Sequence, residues 1–396
     1  MQSNSITETT ERNERQQDDE TILEISGLTK VYPDGTLAVD DIDFSVARGD
    51  FCVIIGPSGC GKSTTLHSIV GTVDPTEGSI RLDGEDITDL PTYQRDISLV
   101  FQDFQLFPHL SVRGNIRYGL ERTDVSGSQM ANRVEQVADV LNLTPFLDGN
   151  PEELSAGQQQ QVALARSLVL EPKLLLLDEP LGDLDYKLQK HMERELLRIH
   201  HEFDTTFVYV THDQNQAMRL GDQLVVMNDG VVEHSGTTED VYDRPANAFV
   251  STFVGDSNTF SGEIVSLSDD ESVATVETAF GTIESTTANL NSPPTELLGE
   301  EVTLSVRPHH VSLGQDDGNT LDCRVSDVIH HPASGTQIVA DVHGEQGEKT
   351  VMVKLLDDIA DPTGEITISW GRSDTVLLEE ISNVPGTDLE TDILGE

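Results

Sequence analysis

The chain has 396 residues, with 71 acidic against 24 basic side chains and a formal net charge of −47. That length accommodates two or three domains, each able to bury its own core, while the charge excludes broad nucleic-acid binding, which needs a basic surface. No apolar run reaches the roughly 18–20 residues needed to cross a bilayer, and no apolar N-terminal segment suggests secretion, so a cytoplasmic protein is expected unless something holds it at a membrane.

Residues 1–20 are rich in Ser, Thr, Gln and acids and read as a solvated, disordered tail. Residues 21–242 alternate short β-like runs with helical stretches, the pattern of an α/β domain with a mostly parallel sheet. Strands are predicted at 51–55, 97–101, 174–178, 207–210 and 224–227, and helices after Lys62, Val112, Ala131, Ser155, Leu184 and Asp213. The four leucines 174–177 suit a strand buried on both faces. A boundary is expected at 243–247, with 243–256 as a linker. From 257 to 396, runs such as 301–306 and 349–354 alternate at period two between Gly and Asp/Asn turns, which reads as an antiparallel β domain or small barrel.

Acids run through the whole chain; residues 257–396 alone hold 27 Asp and Glu against 5 Lys and Arg. Self-repulsion on that scale destabilises a compact state at low salt, whereas a Debye length of about 3 Å near 1 M salt mutes it. A protein adapted to a cytoplasm holding molar KCl is therefore expected. The cysteines, Cys52, Cys60 and Cys323, are odd in number and form no CxxC, which fits neither a disulfide framework nor a zinc site. They read as packing residues.

Directly after the first of these strands comes Gly56-Pro57-Ser58-Gly59-Cys60-Gly61-Lys62-Ser63-Thr64, a strand–GxxxxGK[ST]–helix pattern. Its glycines let backbone N–H groups close around phosphate oxygens, and the helix N-terminus adds partial positive charge. Lys62 is expected to reach the β- and γ-phosphates and the Ser63 hydroxyl to ligate Mg²⁺. Downstream, an apolar strand ends in Asp178-Glu179, and adjacent acids on a buried strand need partners. In a nucleotide site Asp178 can face Mg²⁺, directly or through water, while Glu179 points at the water that attacks the γ-phosphate. Between these motifs, Ser155-Ala156-Gly157 opens a helical stretch, and is either an anion site or an ordinary N-cap. Singly, Tyr32 reads as a packing residue, Gln102 as a surface amide and His212 as a structural histidine.

In this order the motifs resemble those of the nucleotide-binding subunits of ABC transporters across 21–242. The resemblance implies a P-loop ABC ATPase domain that binds ATP and Mg²⁺. Lys62 and Ser63 match the Walker A residues, and Asp178 and Glu179 match the Walker B aspartate and catalytic glutamate. Residues 154–161 resemble the LSGGQ signature, whose Ser155 and Gly157 are then expected to close over ATP bound to the opposite subunit. Tyr32 matches the aromatic that stacks on adenine and Gln102 the glutamine that touches Mg²⁺ and couples the site to the membrane domains. Asp185 matches the D-loop and His212 the switch histidine on the γ-phosphate. Ala156 stands where the signature usually has its second glycine, Gln161 replaces a common Arg, and the D-loop approach 181–185 departs from Ser-Ala-Leu-Asp. None of these departures removes a group with a direct catalytic role.

The resemblance further implies a head-to-tail dimer docked on separate membrane permease subunits, served indirectly by an extracellular solute-binding protein, at the cytoplasmic face of the membrane. Phe104, Leu106, Phe107 and Pro108 form either the docking surface or an internal cluster. The all-β region is similar to the OB-like TOBE module of importer ATPases of the maltose, polyamine, iron(III) and sulfate type, and Ser305-Val306-Arg307-Pro308 resembles a recurring motif of it. Residues 254–260, 368–370 and Asp374 lean toward the polyamine and iron(III) branch; sugar or sulfate import is the alternative. A soluble ABC ATPase of DNA repair or translation and a non-hydrolysing regulatory subunit are more remote readings.

Overall fold

The structure is a computed structural model that describes residues 21–379 except 183, 204, 291, 316–317, 332–334, 345–346 and 357–361. The expected tail, 1–20, and residues 380–396 lie outside the described residues. The chain divides into two compact units, with the division between Thr238 and Glu239.

Among its described residues the first unit contains ten strands: β1 (Thr21–Val31), β2 (Leu37–Ala47), β3 (Phe51–Ile55), β4 (Glu77–Leu82), β5 (Glu85–Asp86), β6 (Ile97–Val100), β7 (Leu174–Asp178), β8 (Thr206–Thr211), β9 (Gln223–Asn228) and β10 (Val231–Thr237). One sheet has the order β2-β1-β4-β5 and is antiparallel; the other has the order β10-β9-β3-β8-β7-β6, parallel except for β10. Every residue of β3 and leucines 174–177 of β7 are fully buried, as continuous apolar runs in a doubly covered parallel sheet should be. Each such leucine contributes about 1.5–3 kcal/mol relative to exposure. The helices are α1 (Lys62–Val70), α2 (Val112–Arg117), α3 (Gly127–Val140), α4 (Ala156–Leu168), α5 (Tyr186–Phe203) and α6 (Gln214–Leu220). Buried Arg95 fixes the end of α1, its Nη1 donating to the Ser68 and Ile69 carbonyls at 2.7 Å each. A cation on the carbonyls of a helix C-terminus also answers the helix dipole.

Topology places the functional candidates. In the parallel sheet Ile55 pairs with Thr211 and Asp178 with Val210, so β3, β7 and β8 end at one level. Val100 of β6 pairs with Leu177, which brings Gln102 to the same carboxyl edge. Open α/β sheets bind ligands at that edge, in the crevice beyond the strand ends.

In the second unit the described residues form two antiparallel five-stranded sheets around one apolar core, in agreement with the OB-like expectation. The expected strand run at Glu301–Val306 is present, and 349–354 falls inside the strand Gly347–Leu355. Within 243–256, Ala248–Phe253 forms a helix, α7, with Ala248, Val250 and Ser251 buried. Arg307, buried and over the Tyr242 ring at 4.1 Å, donates to the carbonyls of Tyr242, Ser251, Gly255 and Asp256 at 2.7–3.2 Å. These bonds bind that segment to the β unit. Cys52, Cys60 and Cys323 are free and buried.

Candidate nucleotide site

The loop 56–61 leaves β3 and turns into α1 at Gly61, whose φ of 103° is left-handed. A Cβ on Gly61 would lie 2.5 Å from the Ala38 carbonyl, and one on Gly56 would lie 2.1 Å from the Met227 carbonyl. Only glycine fits either position, so the spacing of the motif is dictated by backbone packing. Lys62 is buried, its ammonium donating to the carbonyls of Gly56 at 2.7 Å and Pro57 at 2.9 Å. The cation is thereby held across the mouth of its own loop. Ser63 is exposed at the start of α1, and Ser58 and Gly59 are exposed in the loop. Tyr32 is half-buried, and its hydroxyl lies 3.3 Å from Thr64 Oγ1.

At the end of β7 the Asp178 carboxyl is raised above its ordinary value by burial and by the neighbouring Glu179 charge, while His67, Lys62 and a hydrogen bond from the Ser63 hydroxyl pull it down. His67 Nε2 lies 3.9 Å from Asp178 Oδ2. Sequence reading missed this histidine, although it follows Ser63 at the i,i+4 spacing that places both on one face of α1.

Glu179 adopts φ 41°, a left-handed backbone for a non-glycine residue, with its N–H on the Val210 carbonyl at 3.1 Å. Such strain persists only where surrounding structure fixes it, and it clusters at functional sites. Its Oε2 lies 3.0 Å from His212 Nδ1. Behind the pair is a polar cavity of about 60 Å³, lined by Glu179, Gly182, Gln189, Tyr209, Thr211 and His212 among others. That volume holds one or two waters. The His212 turn is set by a hydrogen-bond chain: Asp213 Oδ1 accepts from Gln216 N–H at 3.0 Å, and Gln216 Oε1 accepts from the Tyr209 hydroxyl at 2.5 Å. Sequence reading missed Tyr209 and Gln216 too; each looks like a core residue until its partner is seen.

The remaining candidates have individual placements. Gln102 is exposed at the strand edge. Asp185 caps α5, its Oδ1 accepting from the N–H groups of Lys187 and Leu188, both at 3.1 Å. Ser155 caps α4 in a capping box with Gln158 and is exposed with Ala156, whereas Gly157 is buried where a Cβ would meet Leu188 at 2.9 Å. Phe107 is half-buried, its ring 4.4 Å from that of Tyr118 and 5.4 Å from the Arg166 guanidinium; Phe104 and Leu106 are half-buried and Pro108 is exposed.

Residues 39–182 match the ABC transporter family. The spermidine/putrescine import ATP-binding protein PotA of Frankia alni is 41% identical over 90% of this chain and 79% of its own. The chain belongs to the ABC transporter ATP-binding proteins. The sn-glycerol-3-phosphate import ATP-binding protein UgpC of Pectobacterium atrosepticum is 38% identical, over 84% of this chain and 90% of that protein. Among solved structures, cbiO1 of Clostridium perfringens, part of the ABC transporter complex cbiONQ, is 31% identical with a TM-score of 0.53, covering 56% of this chain and 90% of that one. As an ABC ATP-binding subunit the chain hydrolyses ATP to drive transport. No helix among the described residues is long and apolar enough to cross a membrane.

Proposed function

We propose that this ABC subunit energises solute import, that its solute is a polyamine of the spermidine/putrescine class or iron(III), and that sugar or sulfate is the alternative. The similarity to PotA along most of the chain carries the solute class. Uptake of labelled spermidine, putrescine, iron(III), sulfate and maltose in a strain lacking the gene tests it. Loss of a polyamine or iron(III), restored by the wild-type gene, is the expected result; loss of maltose or sulfate uptake instead would overturn the solute assignment.

The donor set fits nucleotide and Mg²⁺. A loop in which Gly56 and Gly61 leave no room for a Cβ, with Lys62 across its mouth, suits phosphate oxygens. Among the described residues no cluster of three or more His, Cys, Asp or Glu could hold a metal. Mg²⁺ needs no such cluster: it is bound through one or two carboxylates, with water and phosphate among the rest of its shell. Ser63, Asp178 and Gln102 would hold the ion, which when bound neutralises charge on the transferring phosphoryl group. Lys62 turns from its loop carbonyls to the β- and γ-phosphates, and Tyr32 stacks on adenine. Glu179 accepts the proton of the attacking water, and His212 orients that carboxylate and contacts the γ-phosphate.

Ser155 and Gly157 of a second copy, placed head to tail, complete the site, with Asp185 at the junction. The pair docks on membrane permeases at the cytoplasmic face and works with an external solute-binding protein. The β unit is a TOBE-type regulatory module, with a linker at 243–256 between it and the ATPase domain. A net charge of −47 supports adaptation to a high-salt cytoplasm. The melting temperature is expected to rise by several degrees between 0.1 and 2 M KCl as charge repulsion is screened; a flat or falling curve by calorimetry would contradict that adaptation.

A further inference from the structure

Arg166 is the single cation in the apolar stretch 162–170 of the signature helix. Arg166 is half-buried, and a cation drawn partly out of water needs acceptors, which it finds in the loop that follows Gln102. Nη2 donates to the Phe104 carbonyl at 2.9 Å and Nη1 to the Gln105 carbonyl at 2.7 Å. The guanidinium also lies over the Phe107 ring at 5.4 Å. Phe104 and Gln105 are consecutive non-glycine residues with φ of 57° and 44°, a strained pair that needs external support.

The same loop is tightly wound. Phe104 N–H donates to the Phe101 carbonyl at 3.2 Å and Gln105 N–H to the Asp103 carbonyl at 2.6 Å, so Gln102 sits inside a closed turn. On its far side, Phe107 N–H donates to Oδ1 of the fully buried Asn115 at 2.7 Å. The backbone of Gln102 is thus fixed by a fork whose root is α4, and α4 begins at the Ser155 cap.

We propose that Arg166 is a positioning residue: by clamping the Phe104 and Gln105 carbonyls it sets Gln102 for Mg²⁺ and ties that glutamine to the position of the signature helix. The proposal rests on the assignment of Gln102 to Mg²⁺ made above. A planar two-pronged donor reaches two adjacent carbonyls at once, which a lysine ammonium does not reproduce.

A double-mutant cycle on the purified full chain tests it, with Gln102→Ala, Arg166→Gln and both together, read as Mg²⁺ dependence of ATP turnover and as ATP binding without Mg²⁺. Arg166→Gln is expected to raise the half-saturating Mg²⁺ concentration about 5–10-fold and leave Mg²⁺-free ATP binding within about 2-fold, and the double variant should match Gln102→Ala alone, the non-additivity of residues acting as a unit. Arg166→Lys should fall between wild type and Arg166→Gln, and it carries the cycle if the Gln variant does not fold. Multiplying effects in the double variant, or a lowered melting temperature with unchanged Mg²⁺ dependence, would overturn the clamp. If Gln102→Ala leaves Mg²⁺ dependence untouched, the Mg²⁺ assignment of Gln102 falls as well; if it shifts that dependence and the Arg166 variants do not, the clamp alone falls.

Discussion

Glu179→Gln is expected to lower ATP turnover by about 10²–10⁴-fold, the usual worth of a positioned general base, while ATP still binds. Glutamine keeps the shape and an oxygen for the contact now made with His212 at 3.0 Å, so the strained backbone at φ 41° has no new reason to relax. What it loses is the negative charge and the capacity to take a proton from water. The charge has a second consequence: Glu179 pushes the Asp178 carboxyl upward. Its removal makes Asp178 easier to ionise and leaves this proposed Mg²⁺ ligand at least as competent as before. Turnover with labelled ATP and binding of a fluorescent ATP analogue together check the variant. Turnover within a few-fold of wild type would place the base elsewhere.

Lys62→Ala is expected to cost about 10²–10³-fold in turnover, the range for losing one preorganised charged donor at a developing anion, and to weaken ATP binding as well. Lys62 is the only cationic side chain in the loop 56–64. Its present bonds to the Gly56 and Pro57 carbonyls show that it is long enough to span the mouth of the loop. Alanine leaves the backbone N–H groups in place, so residual binding should survive on helix dipole and amides alone. The two variants therefore separate: Glu179→Gln spares binding and Lys62→Ala does not. Melting curves of both should stay close to wild type, because neither residue contributes to the apolar core.

Much of this site is legible in the sequence because its parts are backbone-determined. The glycines of 56–61 have no alternative at their angles and contacts, and the strands before them are unbroken apolar runs that only a doubly covered sheet accepts. The antiparallel sheet of β1, β2, β4 and β5 is not legible in the same way. Register shifts between Thr21 and Leu23, and again between Ile25 and Lys30, break the period-two pattern of β1. Residues 243–256 lack long apolar runs and read as a linker, yet the Arg307 fork holds Ser251, Gly255 and Asp256 to the β unit. Arg166 leaves a signal, a lone cation among apolar residues, but its acceptors lie some sixty positions earlier and only the fold reveals them. Tertiary hydrogen bonds to carbonyls carry no residue signature, which is why the clamps were missed while the loop was not.

The central claim, that this chain is an ATPase whose site is completed between two copies, is tested most directly by phosphate release from ATP by the purified wild-type chain, with and without Mg²⁺, across protein concentration in molar KCl. Mg²⁺-dependent release whose rate per chain rises with concentration as copies pair is the predicted result. No release at any concentration, even with permease-bearing membranes added, would contradict it.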